Sequence, residues 1–343
     1  MDSDSLRLIT IDVGNSNTSL SYWDAKACSP VVRVSNNDRP AILAAVRELA
    51  KELEGAEHSA IVLASVKEPT GSELAQAVCD ELKREVFTIP DDLPLACTTM
   101  LDPEALTGID RLLAAIGAFD RFEQACAVVD AGTAITVDFI DGTGIFQGGA
   151  IVPGTRAWLA VLRMAAPALP EIEPARPTDG AFAKNTAQAM LHGMFYGIRG
   201  VVRQLIERYA EEYHAYPKVV ATGGDAHLLF DGDEFVEQIA EDLVHRGMVV
   251  CAKRALAGAQ CIAPLQQGAG QRPHYTITSL LPSGVAALAT NHRHFRHRAC
   301  HTSLPFACSS TEPTLIWISA LACLPMSASS RQELISWMLA AQR

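Results

Sequence analysis

The segment Leu8–Thr18 reads LITIDVGNSNT, and a later segment, Ala127–Thr133, reads AVVDAGT. Each begins with a short apolar run, reaches Asp-x-Gly, and continues through small polar residues into an alternating run that ends in an acid, at Asp24 and Asp141. This pattern predicts a strand, a tight turn and a return strand. Two such hairpins indicate a duplicated α/β fold that holds the phosphates of a nucleotide from two sides.

The turn residues have the chemistry that phosphate binding needs. Gly14 and Gly132 let backbone N–H groups approach an anion without a Cβ in the way. Asp12 and Asp130 supply hard oxygen ligands for a cation that neutralises phosphate charge. Side-chain donors follow at Asn15, Ser16, Asn17 and Thr18, and in the second copy at Thr133 and Thr136. A single Asp-x-Gly is also ordinary turn chemistry, but its repetition in the same context favours the nucleotide interpretation.

The composition indicates a soluble, globular, cytoplasmic protein. The chain has 343 residues, enough for two domains, of which 49% are hydrophobic and 20% charged. A net charge of −11 argues against nucleic acid or an anionic membrane as a partner, and the apolar run at 315–326 is too short to span a bilayer. The nine cysteines form no Cys-x-x-Cys pair and the N-terminus does not resemble a signal peptide, so we expect reduced thiols. A P-loop motif and a dinucleotide-binding glycine motif are both absent from the sequence.

Hydrophobic periodicity divides the chain into two α/β domains and a tail. Residues 6–34 read as three strands, followed by a helix (40–53), a strand (59–66), a helix (73–84) and a strand (85–89). A helix at 108–119 then leads to the second hairpin, a strand at 146–152, helices at 155–166 and 185–213, a strand from 218 and a helical pattern at 234–256. We predict an N-terminal domain at 1–115 and a C-terminal domain at 116–262, each with one phosphate loop, and an atypical tail at 263–343.

The tail differs in composition from the rest of the chain. Residues 265–343 contain six Arg, no Lys and two acids, and they are rich in Ser, Pro, Ala and His. This composition is typical of a poorly ordered or weakly helical appendage outside the catalytic fold. The tail also holds a dense group of metal-ligating residue types, at His292, His294, His297, Cys300 and His301. Such a group is compatible with a metal site or with a basic tail that has no site.

Six short motifs follow one another along the chain. They are DVGNSNT at Asp12–Thr18, GIDR at Gly108–Arg111, DAGTA at Asp130–Ala134, GGAIVPG at Gly148–Gly154, KNT at Lys184–Thr186 and ATGGD at Ala221–Asp225. In order and spacing they resemble the type III pantothenate kinase family, part of the acetate-kinase/Hsp70/actin-like superfamily, over roughly residues 6–258. The resemblance implies duplicated RNase H-like (actin-like ATPase) domains with mixed β-sheets. It also implies transfer of the ATP γ-phosphoryl group to the primary hydroxyl of pantothenate, the first step of coenzyme A synthesis.

The resemblance assigns a role to each motif. The first hairpin is similar to the family's ATP phosphate loop, which here comprises Asp12, Val13, Gly14, Asn15, Ser16, Asn17, Thr18 and Ser19. Thr133 matches a second ATP contact, and Asp130 matches the ligand of a monovalent cation, K⁺ or NH₄⁺. The pantothenate-binding residues of the family are matched by Gly108, Ile109, Asp110, Arg111 and Thr186, with Asp110 as the catalytic residue. Ala221–Gly224 resembles the adenosine-side strand and turn. The resemblance further implies a homodimer, in which Thr186 could act across the interface.

This chain departs from the family pattern at three places. Ser16 replaces the usual Thr and keeps the hydroxyl. Leu101 stands where many members carry a Tyr, seven residues before the Gly of Gly-x-Asp-Arg. The third departure is the tail at 263–343, which the family lacks.

Phosphoryl transfer depends mainly on positioning and charge neutralisation. A primary alcohol is a weak nucleophile, so we expect Asp110 to orient the hydroxyl and take its proton. An acid at a helix start is also favoured by the helix dipole alone. Arg111 is suited to pair with the carboxylate of pantothenate through its planar fork, and the alternative is a surface salt bridge. We expect Asp12 to hold Mg²⁺, through water, because this ion keeps much of its hydration shell.

Two other functions are compatible with the same scaffold. One is a non-catalytic nucleotide-binding regulator, similar to the transcription accessory factors named in one branch of the family. The intact set of Asp12, Asp110, Asp130 and Thr133 argues against it. The other is a sugar or carboxylate kinase of the same superfamily, which the segment Gly108–Arg111 argues against.

Overall fold

Strands and helices alternate along the chain in an order that repeats once. The computed structural model describes residues 6–259, apart from residues 26, 57 and 179. Its strands are β1 (Leu6–Val13), β2 (Asn17–Trp23), β3 (Val32–Ser35), β4 (His58–Ser65), β5 (Val86–Ile89), β6 (Thr98–Thr99), β7 (Cys126–Ala131), β8 (Ala134–Ile140), β9 (Ile145–Pro153), β10 (Lys218–Thr222) and β11 (Gln238–Ile239). Its helices are α1 (Arg39–Ala50), α2 (Thr70–Leu82), α3 (Ile109–Phe122), α4 (Thr155–Ala165), α5 (Thr186–Tyr213), α6 (Ala226–Phe230) and α7 (Leu243–Ala259). A 3-10 turn at Lys51–Leu53 extends α1.

The two β-sheets share one strand order. The first sheet runs β3-β2-β1-β4-β5, and the second runs β9-β8-β7-β10-β11, with the short β6 added beside β9. In the first sheet β3, β2 and β1 are antiparallel neighbours, and β4 and β5 run parallel to β1. In the second sheet β9, β8 and β7 are antiparallel neighbours, and β10 and β11 run parallel to β7. This repetition confirms the predicted duplicated α/β fold with mixed β-sheets.

Both Asp-x-Gly segments form the predicted hairpins. In the first, Asp12 pairs with Ser19 across β1 and β2, and the Gly14 N–H donates to the Asn17 carbonyl over 3.0 Å. In the second, Asp130 pairs with Thr136 across β7 and β8, and the Gly132 N–H donates to the Ala134 carbonyl over 3.0 Å. The first strand of each hairpin therefore ends one residue after its aspartate, at Val13 and at Ala131, and the turn follows.

The buried apolar side chains form three clusters, which lie between layers of helices and sheets. One cluster fills the outer face of the first sheet against α1 and α2, and a second fills the outer face of the second sheet against α4, α5 and α6. The third and central cluster contains residues of α3 and α7 together with inner-face residues of both sheets, such as Leu8 and Val128. The helices α3 and α7 thus lie between the sheets.

The helices α3 and α7 cross at a close contact made possible by two glycines. A Cβ added at Gly117 would lie 2.0 Å from the Leu243 carbonyl oxygen, and one added at Gly247 would lie 2.0 Å from the Leu113 carbonyl oxygen. Real Cβ atoms do not approach backbone so closely, so both positions require glycine. The middle of α3 and the first turns of α7 are consequently fixed against each other.

One predicted element is wrong, the predicted domain boundary is not tested, and the predicted tail lies outside the described residues. The helical pattern at 234–256 begins as the edge strand β11, because the Glu237 and Ala240 N–H groups bind the carbonyls of Val219 and Ala221, and the helix starts only at Leu243. The domain boundary at 115/116 stays a prediction. The tail at 263–343, including its histidine group, lies outside the described residues.

No helix among the described residues is both long enough and apolar enough to cross a membrane.

Candidate active site

Strand alternation places Asp12 and Asp130 on the inner faces of the two sheets. On β1 the inner face carries Leu6 and Leu8, which belong to the central cluster, so Thr10 and Asp12 continue that face. On β7 the inner face carries Cys126 and Val128, and Asp130 continues it. Each aspartate therefore lies at the carboxyl end of its strand and is directed toward the layer that contains α3 and α7.

The two turns meet each other directly. The Ser16 hydroxyl and the Thr133 hydroxyl form a hydrogen bond of 3.0 Å between residues 117 positions apart. The first turn is further held by Asn36, whose side-chain amide donates to the Gly14 carbonyl over 2.8 Å, and by Lys67, whose ammonium donates to the Asn15 carbonyl over 2.9 Å. The two predicted turns thus lie next to each other.

The Asp12 side chain is half-buried, and only one of its two carboxylate oxygens has a hydrogen-bond partner among the described residues. Its Oδ2 accepts a hydrogen bond of 3.1 Å from the Ser19 hydroxyl, whereas Oδ1 is buried and has no hydrogen-bond partner among the described residues. Burial, reinforced by the negative charge of Asp110, raises the pKa of Asp12 to about 7. A buried carboxylate oxygen without a partner is the structural signature expected for a group that receives a cation or its water shell.

Asp130 is in a similar electrostatic situation in the second sheet. Burial, followed by the charges of Asp110, Asp12 and Asp138, raises its pKa to about 7. The neighbouring strand β10 pairs Thr222 with Asp130, and the turn that follows begins at Gly223 with a φ of +93°. A Cβ at Gly223 would lie 2.4 Å from Oδ1 of Asp130, so this glycine makes room for the carboxylate.

Asp110 lies in the first turn of α3, close enough to both aspartates to affect their ionisation. Its pKa is raised by burial, against the opposing effect of the hydrogen bond from the Arg111 N–H, which donates to Asp110 Oδ1 over 2.8 Å. A Cβ at Gly108 would lie 2.5 Å from the same oxygen, so the glycine lets the carboxylate fold back over the helix start. The structure therefore gathers Asp12, Asp110 and Asp130 in one electronegative region between the two turns.

Arg111 is half-buried and held by a carboxylate that the sequence prediction did not include. Its Nε lies 3.1 Å from both oxygens of Asp138, and its Nη2 lies 2.5 Å from Oδ1 of the same residue. The Asp138 side chain is only 2% exposed and also accepts from the Thr136 hydroxyl over 2.9 Å. Arg111 thus forms a salt bridge, the alternative to substrate binding that its sequence position offers, but the pair is largely buried and not on the surface. The Nη1 nitrogen has no protein partner in the described part of the chain.

Other predicted residues lie at varying distance from this region. Ile109 begins α3 and packs against the central cluster, and Thr18 is buried with its hydroxyl donating to Asn36 over 2.8 Å. Thr186 is exposed at the start of α5, and no hydrogen bond joins it to either turn within residues 6–259. Leu101, at the position of the family's Tyr, packs against the central cluster. Sequence reasoning missed Asp138 and His245, because their partners lie far away in the chain.

The donor set fits a cation bound together with phosphates better than a cation bound by protein alone. Among the described residues no three carboxylate, imidazole or thiol groups converge closely enough to hold a metal ion. The unpartnered oxygen of Asp12 and the excess negative charge around Asp130 nevertheless favour a cation at each position. Phosphate oxygens and water would have to complete the coordination, as is usual for Mg²⁺.

Comparison with known proteins identifies the family. The profile of the family described as Type III pantothenate kinase matches residues 8–208. The chain belongs to the type III pantothenate kinase family. Within this family, a Type III pantothenate kinase of Anaeromyxobacter sp. (strain K) is 32% identical over 252 residues, which cover 72% of this chain and 99% of the relative. A second, from Syntrophotalea carbinolica, is 31% identical over 249 residues, 70% of this chain and 96% of the relative.

A solved structure of more distant sequence is also similar. MreB5 of Spiroplasma citri bound to AMPPNP superimposes with a TM-score of 0.43 at 11% identity, covering 74% of this chain and 98% of MreB5. Assignment to the type III pantothenate kinase family rests on the sequence match alone. That match contains both hairpins, the segment Gly108–Arg111 and Thr186, and it ends before β10.

Proposed function

We propose that this protein transfers the γ-phosphoryl group of ATP to the primary hydroxyl of pantothenate and forms 4'-phosphopantothenate. The observation that carries the proposal is the position of Asp110, on the helix between the two sheets and within electrostatic reach of the aspartates of both turns. A carboxylate at that point can serve an acceptor hydroxyl, while the two turns hold the donor. The family match and the names of the relatives support the choice of pantothenate as acceptor.

In this proposal the two turns bind the triphosphate of ATP. The backbone and side chains from Asp12 to Ser19 form one side of the phosphate site, and Thr133 forms the other, next to the Ser16 hydroxyl that it already contacts. Asp12 would hold hydrated Mg²⁺ and Asp130 a monovalent cation, K⁺ or NH₄⁺. Bound there, the cations would neutralise phosphate charge and would offset the burial and the mutual repulsion that raise the pKa of the two aspartates.

Asp110 and Arg111 would handle the acceptor. Asp110 accepts the hydroxyl proton as the oxygen attacks, which its raised pKa favours because a more basic carboxylate is a better proton acceptor. Asp138 holds two nitrogens of Arg111 and leaves Nη1 for the pantothenate carboxylate. Gly108 and Ile109 would line the same site, and Thr186 would contact pantothenate either directly or across a homodimer. We also propose that the enzyme is a homodimer and acts in the cytoplasm.

The proposal is tested by coupling ADP release to an optical assay. ATP turnover should require pantothenate and Mg²⁺, and it should be faster in K⁺ or NH₄⁺ than in Na⁺ at equal ionic strength. Mass spectrometry of the product should show one added phosphate. Absence of pantothenate-dependent ADP release in every cation would contradict the kinase proposal and favour the regulator alternative, which also predicts nucleotide binding without turnover.

A further inference from the structure

His245 joins the helix α7 to the first hairpin through two hydrogen bonds. The residue is 1% exposed and lies in the layer between the sheets. Its Nδ1 lies 2.9 Å from the Thr10 hydroxyl, and its Nε2 lies 3.0 Å from the Ser19 hydroxyl. Ser19 in turn donates to Asp12 Oδ2 over 3.1 Å. A continuous chain of three hydrogen bonds therefore runs from Thr10 through His245 and Ser19 to the carboxylate of Asp12.

When Asp12 is ionised, the number of available protons fixes which group donates in each of these three hydrogen bonds. An ionised carboxylate only accepts, so the single hydroxyl proton of Ser19 is directed to Asp12. The oxygen of Ser19 must then accept from Nε2–H of His245. A neutral imidazole carries one proton, so in this arrangement Nδ1 accepts the single hydroxyl proton of Thr10 over 2.9 Å, and the Ser21 carbonyl, 3.1 Å from the same hydroxyl, is the competing acceptor. Burial, with a smaller effect of the Arg33 charge, lowers the pKa of His245 to about 3 and keeps the ring neutral.

This series of hydrogen bonds determines which oxygen of Asp12 remains without a partner. Ser19 occupies Oδ2, and Oδ1 is left buried without a partner among the described residues. Without the Nε2–H donor, the Ser19 hydroxyl would lose its fixed orientation, and the carboxylate would lose the contact that holds its rotamer. Since α7 is held against α3 by the glycine crossing, the imidazole is anchored to the same helix layer that carries Asp110.

We propose that His245 is a positioning residue for the nucleotide site, a neutral imidazole protonated on Nε2 that orients the Ser19 hydroxyl toward Asp12 and leaves Oδ1 for the hydrated cation that accompanies ATP. The inference rests on the proposed function, because it assumes that Asp12 serves a nucleotide-bound cation. His245 itself touches neither the substrate nor the cation. Its effect passes through Ser19, which distinguishes it from the binding residues of the turn.

Three variants and one control test the proposal. His245→Leu fills the volume without a donor, His245→Gln retains an N–H donor and an acceptor, and Ser19→Ala removes the link. The control is Val249→Ala, which truncates another buried side chain of α7, one turn after His245. For each protein the KM for MgATP, the KM for pantothenate, kcat and the dissociation constant for Mg·ADP would be measured.

Substitutions of residues that orient a metal ligand typically cost about 10–100-fold in affinity or activity. We therefore expect His245→Leu to weaken Mg·ADP binding and to raise the KM for MgATP by about 10-fold or more, with the KM for pantothenate within about twofold of wild type. Ser19→Ala should have a similar effect, and the double variant should be no worse than the more impaired single variant, because both break one chain. His245→Gln should recover most of the loss, and Val249→Ala should change stability without changing Mg·ADP binding.

A measurement independent of turnover tests the proton arrangement. In protein labelled with ¹⁵N-histidine, the signal that disappears in His245→Gln should report a neutral ring protonated on Nε2 at pH 8. A ring protonated on Nδ1, unchanged Mg·ADP binding in His245→Leu, or additive effects of the two single substitutions would each overturn the proposal. If wild type binds Mg·ADP but does not phosphorylate pantothenate, the proposed function fails, while the binding data still decide the role of His245.

Discussion

The glycine crossing of α3 and α7 predicts that one added methyl group at Gly117 destabilises the protein. In Gly117→Ala the new Cβ would lie 2.0 Å from the Leu243 carbonyl oxygen and 3.1 Å from the Gly247 nitrogen. A carbon–oxygen contact between helices needs about 3.3–3.6 Å, so the helices would have to separate by more than ~1 Å. Because the obstacle is the backbone of the other helix, no side-chain rotation relieves the overlap.

The expected magnitude follows from two opposing contributions. Adding a methyl group to a closely packed interior costs about 1–3 kcal/mol, and a rigid backbone obstacle corresponds to the upper part of that range. Alanine stabilises a helix interior by about 1 kcal/mol relative to glycine. We therefore expect Gly117→Ala to lower the free energy of unfolding by about 2 kcal/mol.

A matched control isolates the effect of the crossing. Gly200 is also a helical glycine, in α5, but it is exposed and a Cβ there would meet nothing within 4 Å. Gly200→Ala should therefore raise the free energy of unfolding by about 0.4–1 kcal/mol. Gly247→Ala, whose Cβ would lie 2.0 Å from the Leu113 carbonyl oxygen, should behave like Gly117→Ala.

Urea unfolding followed by tryptophan fluorescence measures these differences on the full-length chain. The midpoints should fall in the order Gly200→Ala, wild type, Gly117→Ala. Gly117→Ala should also lose turnover, because its helix begins at the segment that carries Asp110. A midpoint for Gly117→Ala equal to or above that of wild type would refute the conclusion that the crossing requires glycine.

Three further predictions concern the site. Asp110→Asn should lower kcat by about 10²–10⁴-fold with an unchanged circular dichroism spectrum. The control Asp120→Asn, at an exposed position of the same helix, should leave kcat within about twofold of wild type. Equal rates for the two variants would remove Asp110 from the role of base. The pKa of Asp130 is raised in the folded state, so its contribution to stability is present at low pH and is lost as pH rises toward 7. In unfolding experiments without added divalent cation, the stability advantage of Asp130→Asn over wild type should thus be larger at pH 8 than at pH 5, and an advantage independent of pH would contradict the electrostatic argument. Asp138→Asn leaves the Arg111 guanidinium without its buried counter-charge and should lower the free energy of unfolding by about 3 kcal/mol. The control Glu81→Gln, which breaks an exposed pair, should lower it by less than about 1 kcal/mol. Similar losses in the two variants would show that the burial of Asp138 does not contribute to stability.

Much of the fold could be predicted from the sequence because its signals are local. The alternation of apolar residues before Asp12 and Asp130, and the glycine two residues after each, are sufficient to indicate two hairpins, which the structure confirms. Most helices were predicted for the same reason, since an apolar stripe repeats every three to four residues. The pattern failed at 234–242, where the backbone of β11 pairs with β10 instead of forming a helix.

The candidate site could be predicted only in part. The roles of Asp12, Asp110 and Asp130 were proposed from motifs that each occupy a few consecutive residues. The partners that control these residues could not be read in this way. Asp138 lies 27 positions from Arg111, and His245 lies 226 positions from Ser19.

The sequence by itself therefore determined most of the longer elements, the duplication and the carboxylates available for chemistry, because strand period, turn geometry and residue type are properties of short segments. Only the tertiary structure decided that Ser16 meets Thr133, that Arg111 is held by a buried carboxylate, and that an imidazole on α7 reaches the first hairpin. These contacts depend on the order of strands in two sheets and on the packing of α3 against α7. They arise only when distant segments are brought together by the burial of a shared apolar core.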